Sequence, residues 1–90
     1  MSDELPYKPF PWDKDLPGAA AIQACWNGTA DEVQQRKAME TIVTGLCGYY
    51  DLSYRPSERD TAFAEGKRFV GAQLVKLTKL NYSELKKKHG

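Results

Sequence analysis

The run Asp60-Thr61-Ala62-Phe63-Ala64-Glu65-Gly66-Lys67-Arg68-Phe69-Val70-Gly71-Ala72-Gln73-Leu74-Val75-Lys76-Leu77 constrains this chain more than any other stretch. Its apolar residues recur at the three- and four-residue spacing of a helix, and two glycines fall inside that spacing. Ala62, Gly66, Phe69, Val70, Gln73, Leu74, Leu77 and Leu80 share one face, the expected core stripe, with Phe63 at its edge. Glu65, Lys67, Arg68, Lys76 and Lys79 fall mostly elsewhere. Ser57 can accept first-turn amide bonds, and Glu58 and Asp60 lie near the positive end of the helix dipole. Each interior glycine costs roughly 1 kcal/mol of helix propensity against alanine. Close approach of another backbone is the usual compensation. Ala62, Gly66 and Ala72 are therefore expected to admit a neighbouring helix, with a hinge or a partner's docking groove as the rival reading.

A second helix is expected from the box Thr29-Ala30-Asp31-Glu32 to about Gly48. Its buried stripe would be Val33, Met39, Ile42, Val43, Leu46, Cys47 and Tyr50, with Gln34, Gln35, Lys37, Glu40 and Thr44 facing away. Gly45 is the expected small-residue contact for Gly66. A shorter helix over 17–26 is opened by Asp15 and Pro17 and closed by Asn27-Gly28. Asn81 or Ser83 breaks or caps the end of the long helix, and residues 83–88 add a last turn.

The spacing thus predicts an all-α domain over residues 15–90. Helices at about 30–48 and 58–80 form an antiparallel hairpin, with the 17–26 helix across it. Residues 1–14 form an extended arm, because Pro6, Pro9 and Pro11 exclude a helix there. The arm's Tyr7, Phe10 and Trp12 either fold back on the helices or dock on another protein. The connection over 48–57 holds Tyr49, Tyr50 and Tyr54, which either cap the open end of the hairpin or anchor an interface.

Ninety residues make one domain with a marginal core, which a dimer or larger assembly would complete. Net charge is +1, but its distribution is uneven. Residues 1–54 carry four basic and eight acidic side chains, net −4; residues 55–90 carry nine basic and four acidic, net +5. That asymmetry fits two solvated faces, head-to-tail assembly, or a basic patch on phosphates. Lys76, Lys79, Lys86, Lys87 and Lys88 are the candidate phosphate contacts, although no recognition helix follows a tight turn. Cys25 and Cys47 are expected to be buried, reduced thiols, with a disulfide as the alternative. The acidic, proline-rich start does not read as a signal peptide, and no apolar run is long enough to span a membrane. A soluble protein made in a cytoplasm is expected.

Chemistry is sparsely represented. His89, the single histidine, is next to last, where a general base would lack a fixed position. The chain has no second histidine and no close cysteine pair for zinc, and no Gly-rich phosphate loop. No enzyme activity, metal, cofactor or small-molecule substrate is expected from these residues.

Two stretches carry a family likeness. One is Trp26-x-x-Thr29 leading into a helix with Val43, Leu46 and Cys47. The other is Thr61-Ala62-Phe63-x-Glu65-Gly66-x-Arg68-x-Val70-Gly71 followed by Leu74. Together, over about residues 25–80, they resemble the short helical proteins encoded among the virion-assembly genes of tailed bacteriophages, a group catalogued from a Bordetella podophage. Where that family has a Gly-Arg-Arg run in its first helix, this chain reads Val33-Gln34-Gln35-Arg36. The resemblance implies a non-enzymatic virion component or assembly factor. Its setting would be the host cytoplasm during assembly and then the particle. Its partners would be other phage structural proteins and further copies of itself. It also implies that Phe63 and Val70 are core, and that Glu65 and Arg68, three apart, form an ion pair. The alternative is a phage protein that binds nucleic acid or a host protein through its basic C-terminal face.

Overall fold

The computed structural model describes residues 6–89, and the fold is all-α. A short 3-10 turn at Trp12–Lys14 leads into α1 (Leu16–Trp26), α2 (Glu32–Glu40), α3 (Glu58–Lys79) and α4 (Tyr82–His89). The Asp15 carboxylate accepts the Gly18 amide at 3.1 Å, and Pro17 occupies the first turn of α1 without loss of a hydrogen bond. At the other end the Gly28 amide bonds the Cys25 carbonyl and the Thr29 amide bonds that of Ala24, with Gly28 at φ 74°. This pair of bonds is a Schellman closure and needs a left-handed residue at Gly28.

Thr29 is thereby committed to closing α1, and its hydroxyl donates to the same Ala24 carbonyl. The N-terminal box of α2 falls two residues later than the Thr29 motif predicts. The Asp31 carboxylate accepts the Gln34 amide at 2.8 Å, and the Gln34 side chain accepts the Asp31 amide at 3.2 Å. In α3, Ser57 caps as expected, accepting the Asp60 amide at 3.4 Å. Leu80 leaves the helix at ψ 146°, and the Asn81 side chain accepts the Glu84 amide to start α4.

Residues Thr41–Leu46 continue α2 as a π-helix, in which the Cys47 amide reaches back five residues to the Ile42 carbonyl. This change of pitch has a large consequence for packing. An α-helical stripe drawn from Val33 to Tyr50 passes through a segment with an extra residue per turn, so its two ends no longer share a face. Val33 is 72% exposed, and Met39, Leu46 and Tyr50 are exposed as well. The buried positions are Ala38, Thr41, Val43 and Cys47, with Ile42 half-buried.

α1 lies along α2 across a seam of small residues: Gly18 and Ala21 (1% exposed) on one side, Ala38 and Thr41 on the other. A β-carbon on Gly18 would strike the Asp15 carboxylate that caps α1 and come within 2.7 Å of the Thr41 hydroxyl, so both the cap and the close approach of the helices need this glycine. Among the described residues the Thr41 hydroxyl itself is buried without a hydrogen-bond partner. Replacing it with a methyl group removes that uncompensated burial, so Thr41→Val is expected to stabilise the fold by about 1 kcal/mol in urea denaturation.

α3, the other arm of the hairpin, packs on the π-helical segment. Its buried face holds Ala64 and Gly71, flanked by half-buried Thr61, Lys67, Arg68, Ala72, Leu74 and Val75. Gly71 makes the close approach, since a β-carbon there would meet those of Cys47 at 3.0 Å and Tyr49 at 3.1 Å. The expected contact between Gly45 and Gly66 does not form. Gly45 faces the Phe10 ring, and a β-carbon on Gly66 would meet nothing within 4 Å.

The molecule measures 44 × 33 × 16 Å. The radius of gyration is 15.5 Å, against about 12 Å for a compact domain of this length. No large side chain is fully buried among the described residues.

Candidate interaction surface

The face of α3 opposite its buried side is apolar. Ala62, Gly66, Phe69, Val70, Gln73, Leu77 and Leu80 are all exposed, Phe69 at 63% and Leu77 at 60%. These are the residues expected to form the core stripe, with only Leu74 of that set half-buried. The opposite side wins because it fits the neighbour more closely. Ala64 and Gly71 stand seven residues apart with no bulk between the backbones. Lys67 and Arg68 cover the flanks with their aliphatic stems and place their cations on specific acceptors. Lys67 donates to the Pro6 carbonyl at 2.9 Å, and the Arg68 guanidinium lies 5.4 Å from the centre of the Tyr49 ring. The signal for this face was the Ala64–Gly71 spacing beside two long cationic side chains.

Glu65 and Arg68 do not pair with each other. Glu65 accepts a hydrogen bond from the Ser53 hydroxyl, and Arg68 is engaged by Tyr49. Phe63 and Val70 are exposed rather than core, Phe63 carrying the edge of the Tyr7 ring at 5.9 Å.

The described part of the arm folds back on its own helices. Pro6 is buried, Tyr7 sits on Phe63, and the Phe10 ring lies over Gly45 and 4.4 Å from Trp12. The arm, the end of the π-helical segment and the connection to α3 enclose an open depression of about 1220 Å³, with Leu46, Leu52 and Phe63 on its walls and Lys67 and Arg55 beside Asp51. The connection is ordered by Arg55 and Thr61. The Arg55 amide donates to the Thr61 hydroxyl at 2.7 Å, which donates to the Arg55 carbonyl at 3.0 Å. Tyr49 caps the hairpin under Arg68, and its ring meets Tyr50 edge-on at 4.8 Å. Tyr50, Leu52 and Tyr54 stand exposed around it.

Lys76 and Lys79 are exposed in the last turns of α3, and Lys86, Lys87 and Lys88 are exposed on α4. Both cysteines are free, but Cys25 is exposed, because it lies in the last turn of α1 beside Trp26, itself 90% exposed. Cys47 is buried, and that burial pushes its thiol above the ordinary range, against the opposing pull of the Lys67 cation. Among the described residues no group of histidine, cysteine or carboxylate side chains could hold a metal ion, and no helix is long and apolar enough to cross a membrane.

No protein-family model matches the chain, and the searches of curated proteins and of solved structures each returned no match.

Proposed function

We propose that this chain is a structural or interaction protein of a tailed phage, acting as a virion component or an assembly factor rather than as an enzyme. One observation carries the reading. The longest helix turns an apolar face of Phe69, Val70, Leu77 and Leu80 to solvent, while no large side chain among the described residues is fully buried. Helical domains bury such a stripe against a second layer. Another chain packed on α3 would supply that cover. The accessible surface is 7323 Å², against about 5,300 Å² for a compact monomer of this mass. The surplus exceeds the roughly 800 Å² that one partner contributes to a stable interface. The phage setting rests on the Ala62-Phe63-x-Glu65-Gly66-x-Arg68 likeness, and it makes other particle proteins, and copies of this chain, the partners.

The test is peptide mass spectrometry of purified particles of the phage that encodes the chain, with copy number counted against the major capsid protein. Presence at a defined stoichiometry is the expected result, and the number separates portal, tail and shell. Absence from particles that accompanies abundance in infected cells would remove the virion reading. The exposed Lys76, Lys79 and Lys86–Lys88 support the second reading, in which the C-terminal face contacts phosphates. Its signature would be nucleic-acid affinity that falls steeply with salt.

A further inference from the structure

Resting on the reading of α3 as an interaction face, we infer that its occupant is the α3 of a second copy, packed antiparallel about a two-fold axis at the level of residue 71. The face is self-complementary in that direction. On a helix of 3.6 residues per turn, Ala62, Gly66, Phe69, Gln73, Leu77 and Leu80 fall in one sector, and Glu65 and Lys76 lie together on one edge of it. The two-fold sets Ala62 against Leu80 of the second copy, Gly66 against its Leu77 and Phe69 against its Gln73. At the two outer levels a large side chain then meets a small one, as interdigitated helices require. The open space at Gly66 becomes the hole that a leucine fills.

Charge selects the same register. An antiparallel pair brings like edges together, so Glu65 of each copy faces Lys76 of the other, twice by symmetry. A parallel pair would bring opposite edges together, so Glu65 and Lys76 would face the edge that carries Phe63 and Val70 and would form no such pairs. It would also put Gly66 opposite Gly66 and leave a void there. The buried side of α3, with Ala64 and Gly71, points away from this face, so the π-helical segment does not obstruct it.

Sedimentation velocity on the full-length chain at about 100 μM is expected to show a dimer that dissociates on dilution. Glu65→Lys and Lys76→Glu should each weaken the dimer about tenfold or more, by turning two attractive pairs into two repulsive ones. The double variant should return to within about threefold of the native constant. Both positions are exposed, so circular dichroism should be unchanged, and Lys76→Glu leaves the Ser53–Glu65 bond intact. A native chain that sediments as a monomer overturns the inference, and so does a double variant no better than the singles. A monomer whose Phe69→Ser/Leu77→Ser variant no longer enters particles would overturn the second copy as occupant while the interaction reading stood. A native dimer with the rescue pattern, absent from particles, would sustain the inference and sink the virion role.

Discussion

Gly71→Leu is expected to destabilise the chain by about 2–3 kcal/mol, lowering the melting temperature by roughly 10 °C or more. The atoms a side chain would strike are the β-carbons of Cys47 and Tyr49, at 3.0 and 3.1 Å, and these cannot swing aside without moving their backbone. α3 would have to lift from the π-helical segment, its principal packing partner. The gain in helix propensity, about 1 kcal/mol, offsets only part of this. Gly66→Ala provides the opposite result. It sits in the same helix, five residues earlier, with nothing within 4 Å of its added carbon. At concentrations that keep the chain monomeric it should gain about 0.5–1 kcal/mol. Urea denaturation followed by circular dichroism measures both, and equal effects at the two glycines would contradict the orientation of α3.

Phe10→Ala should cost about 2 kcal/mol and free the arm. The Phe10 ring covers Gly45 and stacks near Trp12, while the Lys67 bond to the Pro6 carbonyl fixes the arm's other end. With the ring gone, the Lys67 bond and the Tyr7–Phe63 contact hold only the start of the segment, and Trp12 loses its neighbour. Trp12 then moves toward solvent, which a red shift in its emission reports in a Trp26→Phe background. Limited proteolysis should cut between Tyr7 and Lys14 in the variant before it cuts the native chain. An unchanged emission spectrum and cleavage pattern would mean that the arm does not depend on its aromatic contacts with the helices.

Much of the fold follows from local chemistry and could be read in advance. Asp15, Asn27-Gly28, Ser57 and Asn81 each stand where a helix begins or ends, because capping depends on residues within a few positions of one another. The Thr29 box failed for an equally local reason: Asp31 offers a carboxylate cap with Gln34 in reach, and Thr29 is already bonded to Ala24. Which face of a helix points inward is a different kind of question. A period of 3.6 carried through Thr41–Leu46 cannot register the five-residue bond at Cys47, so Tyr50 lies off the face it predicts, while Val33 already stands about 140° round α2 from the buried Ala38. For α3, the largest apolar residues drew attention to the exposed face, whereas the contact that forms is governed by the absence of side-chain volume at Ala64 and Gly71. The alternative destination of the aromatic arm, its own helices, was open in the sequence, and the contacts of Tyr7 and Phe10 select it for the described residues.

The order in which the helices pack also shapes how the chain folds. α1 meets α2, α2 runs into its π-helical continuation, and that segment meets α3, so each partner is the next element along the chain. Contacts so local require closing only short loops, which places such chains among the fast folders. The arm's contacts are the outliers: the bond from Lys67 to Pro6 spans 61 residues, and Tyr7 on Phe63 and Phe10 over Gly45 also join distant parts of the chain. The arm therefore settles after the helices have assembled, and changes at Phe10 should speed unfolding while leaving the refolding rate almost untouched.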